Sequence, residues 1–185
     1  NVKGLAEMEV KANKVTWPLM YKEIGNDLNS LYNKINSTNK TIVSFLKENG
    51  LEENEITVNA PEIIDMNAER YSSNQSNYRY NVTQVITVTS SKVDLVRHLI
   101  NEQSELLKQG IAITGGDYMY RVKYEYSDLN SIKPQMIEEA TKNARTAAQK
   151  FASDSDSKLG KIKRASQGQF SISDRDEFTP YIKKV

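Results

Sequence analysis

Apolar and polar residues alternate from the start of the chain. Ala6, Met8, Val10 and Ala12 are separated by Glu7, Glu9 and Lys11, the period of a strand with one face buried. After Asn13–Lys14 the phase slips, and Val15, Trp17, Leu19 and Tyr21 form a new apolar set. A one-residue slip exchanges the two faces of a strand, so a bulge or tight turn is predicted there. Pro18 cannot donate to a ladder, and the second segment is predicted as an edge or bulged strand. The period then changes. Leu28, Leu31, Tyr32, Ile35, Ile42, Phe45 and Leu46 fall at helical spacing between Gly25–Asn26–Asp27, which offers a cap, and Gly50, predicting a helix over 27–49.

Further on, Ile56, Val58 and Ala60 predict a short strand before Pro61, and the polar run 67–77 reads as a surface loop. Tyr78, Tyr80, Val82, Ile86 and Val88 alternate as a long strand. Ser91 and Asp94 suggest a capping box for a helix carrying Val93, Val96, Leu99, Ile100, Leu106 and Leu107, closed by Gly110. Ile111 and Ile113 open another strand before the Gly115–Gly116 turn signal. Residues 117–126 show the clearest period of two in the chain, with Tyr118, Tyr120, Val122, Tyr124 and Tyr126 on one face. A helix follows, capped by Asn130 or Ser131 with Pro134 in its first turn, and its stripe is Ile137, Ala140, Ala144, Ala147, Ala148 and Phe151. Ile162, Phe170 and Ile172 mark a last strand or strand pair over 159–173.

This order has no strict parallel βαβ alternation. It predicts an α+β fold of two-layer α/β sandwiches with mostly antiparallel sheet. Residues 66–173 read as a ferredoxin-like βαββαβ subdomain. Residues 1–65, with 174–185 returning as a closing strand, form a strand–helix–strand subdomain.

Composition narrows the function classes. The 185 residues carry 25 Lys+Arg against 24 Asp+Glu, which argues against a nucleic-acid binder living on phosphate contacts. A hydrophobic content of 38% fits a folded domain without a membrane span. With no cysteine and one histidine, thiol nucleophiles, disulfides and Cys-based zinc sites are excluded. Asn1–Glu9 has no apolar targeting core, which fits a cytosolic chain or an exported one whose signal has been removed.

Candidate chemistry is sparse. Asp94, His98 and Glu102 stand at i, i+4 and i+8 of one helix, but two carboxylates beside a histidine usually form a solvated face, and no metal is expected. Asp154 and Asp156 resemble the start of a calcium loop, yet Leu159 and Ala165 occupy the places of its glycine and glutamate. No cofactor is expected, and with no positioned acid–base or nucleophile set the chain is not expected to be an enzyme. The tyrosines Tyr118, Tyr120, Tyr124 and Tyr126 form either a binding platform or ordinary core. Trp17, beside Pro18, is a second interface candidate.

A resemblance adds to this. Gly4-Leu5-Ala6-Glu7 with Val10 and Asn13, then Leu129-Asn130, Lys133-Pro134, Met136-Ile137, Ala140-Thr141, Asn143-Ala144-Arg145, Ala147-Ala148 and Phe151-Ala152, followed by Leu159-Gly160-Lys161-Ile162 and Gln167-Gly168, resemble the SIMPL-domain family. The resemblance implies two α/β sandwiches, one formed with both chain ends, and no defining catalytic residues. It implies an exported, periplasmic or envelope-associated protein linked to oxidative-stress protection, and a homo-oligomer or a protein partner, since one immunogenic member forms a channel-like ring. Members usually close on a further long strand, expected here to begin at residues 181–185, which would leave a sheet edge unpaired. The function expected is thus non-enzymatic, by self-association or partner binding. The alternative is a small-molecule or peptide binder using the tyrosine-rich sheet face.

Overall fold

A computed structural model describes residues 1–68, 77–115, 118–175 and 182–184. Its strands and helices are, in chain order, β1 (Glu9–Lys11), β2 (Lys14–Gly25), α1 (Leu28–Glu48), β3 (Ile56–Val58), β4 (Glu62–Asp65), β5 (Tyr80–Ser90), α2 (Val93–Asn101), α3 (Ser104–Lys108), β6 (Lys123–Glu125), α4 (Leu129–Asp154), β7 (Ser173–Asp174) and β8 (Ile182–Lys184). Short 3-10 turns occupy Glu53–Glu55 and Tyr118–Tyr120. The fold is α+β, as expected. The chain divides into two compact units, Lys14–Tyr124 and Asn1–Asn13 with Glu125–Val185.

The first unit is built on β2 and β5, which pair antiparallel along their whole length from Val15↔Ser90 to Gly25↔Tyr80. The sheet order is β3–β5–β2–β6, with β4 also on β5. Val15, Trp17, Leu19 and Tyr21 lie opposite Ser90, Val88, Ile86 and Gln84, and all eight are buried. Helices α1 and α2 pack on this sheet. Full burial of side chains such as Leu19 and Ile86 contributes about 1.5–3 kcal/mol each. The Tyr21 hydroxyl donates to Asn39 Oδ1 at 2.8 Å and lies 3.1 Å from the Ile35 carbonyl oxygen, pinning α1 to the sheet. Helix α1 starts and ends where its signals predict. The Asp27 carboxylate accepts from the Ser30 N–H at 2.7 Å, and Gly50 takes the left-handed φ of 101° that ends the helix.

In the second unit an extended N-terminal segment lies on α4. Gly4, Ala6, Met8 and Val10 are half-buried, their odd neighbours are exposed, and Ala12 is buried. A methyl group on Gly4 would overlap the Ala140 carbonyl oxygen and stand 2.8 Å from the Ala144 nitrogen. Only glycine permits that approach. Asn143 Nδ2 donates to the Leu5 carbonyl at 2.9 Å. Strands β1, β8 and β7 form a small sheet in that order, which joins both chain ends as the resemblance implied.

Several expectations are corrected. Among the described residues of 117–126 a continuous strand is absent: Tyr118–Tyr120 is a 3-10 turn and only Lys123–Glu125 is strand. β2 is not an edge strand over its first half, where β6 flanks it. The long second helix breaks into α2 and α3, and the Lys92 N–H bonds to Ser90 Oγ at 2.9 Å in place of a Ser91 cap. Helix α4 begins earlier than predicted, so Pro134 sits beyond its first turn. Its covered stripe is Met136, Ala140, Ala144, Ala148 and Ala152, whereas Ile137 and Phe151 are exposed. The strand expected over 159–173 is reduced to Ser173–Asp174, with no regular structure over 157–172. The ferredoxin-like sheet within 66–173 does not form, because β5 pairs with β2 while β7 joins β8. The division expected at 65/66 thus runs between the two longest paired strands. Most of the loop expected over 67–77, and Gly116 of the turn signal, lie outside the described residues.

Candidate functional site

Successive residues of an antiparallel strand send their backbone N–H and C=O to opposite edges. The Thr114 N–H donates to the Met20 carbonyl at 2.7 Å. The even-numbered residues of β2 therefore direct their backbone groups away from β5. The far side of β5 agrees: Val85 O accepts from the Asn59 N–H at 3.1 Å, which leaves the even residues of β5 to face β2. Pro18 belongs to the outward set of β2. Its missing N–H removes no bond to β5, but it interrupts pairing on the other side. There the 3-10 turn at Tyr118–Tyr120 separates the Met20–Thr114 bridge from β6.

Beyond Met20 the outward residues are Lys22 and Ile24. No strand among the described residues lies against them. Ile24 is 52% exposed. Leu28 and Tyr32, one turn apart on the first half of α1, are exposed as well, Tyr32 at 65%. Among the described residues the second half of β2 is thus an open edge, with exposed apolar side chains following it along the chain.

A shallow groove of about 370 Å³ lies on the sheet face opposite the helices. Pro18, Thr83, Val85 and Thr87 contribute to its walls, and Tyr120 and Lys123 stand at one side. Glu62 and Arg121 line it as well.

The expected interface residues separate. Trp17 is 2% exposed, buried between Val15 and Leu19 on the helix-covered face, and belongs to the core. Tyr124 is also buried, and desolvation pushes its phenol above the usual tyrosine range, with Arg97 opposing. Tyr126 is half-buried, its hydroxyl 3.4 Å from Ser131 Oγ. Tyr120 lines the groove, and the Tyr118 side chain lies outside the described residues. The tyrosines therefore do not share one strand face. Asp94, His98 and Glu102 are exposed, and among the described residues no group of three His, Asp or Glu could hold a metal. No helix there is long and apolar enough to cross a membrane.

One polar cluster is structural. Lys92 Nζ reaches Glu55 at 3.1 Å and the Gly50 carbonyl at 3.2 Å, and Ser90 Oγ donates to Glu55 at 2.6 Å. Burial pushes the Glu55 carboxyl up, but hydrogen bonds from Ser90, the Glu52 N–H and Lys92 outweigh it and hold it below the usual range.

The edge character of this strand was expected from Pro18, and among the described residues it is confined to the second half of β2. Its side is fixed by the Met20 carbonyl, which places Pro18 among the residues whose backbone groups turn away from the main partner strand.

Helices packed on an antiparallel sheet, and a small second sheet that joins both chain ends, define an α+β protein with a paired core and an open strand edge. The chain belongs to the SIMPL family: the family model described as "SIMPL: Protein of unknown function (DUF541)" matches residues 1–181. A comparison with curated proteins finds no match.

Proposed function

We propose that this protein is non-enzymatic and acts by self-association, a second copy adding a strand to the outer edge of β2. The observation that carries this reading is the outward backbone of Lys22 and Ile24, which meets no strand among the described residues. An unpaired edge with apolar neighbours is a template for another strand. Lys22 places a charge on the outward set, and its neighbour Glu23 is paired with Lys34 at 2.6 Å. Export to the periplasm or envelope, and a part in oxidative-stress protection, rest on the family resemblance and belong to the same reading.

Light scattering across a dilution series tests it. The mass is expected to exceed that of one chain at high concentration and to fall on dilution, and a strict monomer throughout would contradict self-association. A second reading, a small-molecule or peptide binder, is favoured by the groove beside Tyr120 and Lys123. A ligand seated there would raise the melting temperature of the monomer.

A further inference from the structure

After α4 the chain carries an unusual stretch. Lys158, Lys161, Lys163 and Arg164 put four cations into seven residues, and no acidic residue occurs from Ser157 to Ser173. The whole chain is nearly neutral, with 25 cations against 24 anions, so this is a local concentration of charge. The stretch has no regular structure, and every residue from Ser153 to Gln169 is exposed. The cations alternate with apolar side chains that are also in water: Ile162 is 81% exposed and Leu159 51%. Phe170 closes the stretch on α4, where Lys133 Nζ stands 5.7 Å from its ring centre and adds a fifth cation.

We infer that residues 158–164 form a peripheral contact for an anionic lipid surface. Clustered Lys and Arg are drawn to the negative potential of such a surface, and each contributes roughly fivefold in affinity. Apolar residues between them suit the boundary between headgroups and acyl chains, where a cation's stem and a neighbouring isoleucine can both be buried. A nucleic acid fits less well. Single-strand binding draws on aromatic residues for stacking, and none occurs between Phe151 and Phe170. The contact does not depend on the β2 edge, since a monomer carries it too.

The test uses the full chain and co-sedimentation with two kinds of vesicle, phosphatidylcholine alone and phosphatidylcholine with roughly one-third phosphatidylglycerol. At low ionic strength the protein is expected to pellet with the anionic vesicles only, and to be released at about 0.5 M salt, where charges are screened within a few ångströms. Replacing Lys158, Lys161, Lys163 and Arg164 together by Ser should abolish binding and leave the melting temperature unchanged, because the stretch packs against no core. Ile162→Ser keeps every charge and should weaken binding several-fold. Failure to bind anionic vesicles, or full binding by the fourfold variant, would overturn the proposal. Equal affinity for a DNA duplex, together with no effect of Ile162→Ser, would overturn it too, since the stretch would then be a general polyanion contact.

Discussion

Single residues show what each unit needs. Burial pushes the Tyr21 phenol above the usual tyrosine range, with Glu23 adding to the shift. The unfolded chain ionises this group near pH 10. The folded protein holds its proton longer, so the contribution to stability is complete below about pH 10 and is lost as pH rises above it. Tyr21→Phe is expected to flatten the alkaline fall of the melting temperature. At neutral pH it should cost about 1 kcal/mol for the lost hydrogen bond to Asn39. An unchanged alkaline profile would show that Tyr21 titrates normally. Glu55 works in the opposite direction. Its depressed pKa adds stability above the unfolded carboxylate pKa, and that stability is lost as pH falls through the folded value. In the other unit Gly4 is the sensitive position. Gly4→Ala would drive a methyl group into the α4 backbone at Ala140. Residues 1–8 should then leave the helix, with rapid amide exchange there and unchanged protection in β2 and β5.

Among elements, β2 shows how much a strand pattern reveals. The phase slip at Asn13–Lys14 was legible, and it coincides with the boundary between the two units. The odd set Val15 to Tyr21 was legible as a buried face for the same reason, since period two reports burial directly. Pro18 was read correctly as a break in pairing, and the edge it predicted holds for the second half of the strand but not the first. The proline interrupts pairing on the side away from β5, and alternation cannot say which side that is. The tyrosine period over 118–126 misled because period two predicts a ladder only where a neighbour supplies one, and Pro18 withdraws that neighbour. In α4 the alanines were legible, but their contact is an extended segment more than a hundred residues away in sequence, not a sheet. The same parity yields a paired prediction. Ile24→Pro removes an outward N–H and leaves the β5 ladder intact, so it should abolish association at little cost in melting temperature. Glu23→Pro removes a bond to β5 and should destabilise the fold. Equal melting temperatures for the two variants would show that the edge is assigned wrongly.

At the scale of the whole molecule, the α+β class and the family were legible, whereas the partition was not. Long-range pairing decides the partition: β2 with β5 spans the expected boundary, and β1 with β8 joins the termini. The candidate site was legible in part: Pro18 marked this strand as an edge, but not which half or which side of it. Its location needed the backbone hydrogen bond from Thr114 to Met20, which no side-chain pattern encodes. Amide-resolved hydrogen exchange at increasing protein concentration is the most direct measurement of what that edge does. The Lys22 and Ile24 amides should exchange fast in dilute solution and become protected as copies associate, with Glu23 protected throughout. If Lys22 and Ile24 exchange at the same rate at every concentration, strand addition at β2 is wrong.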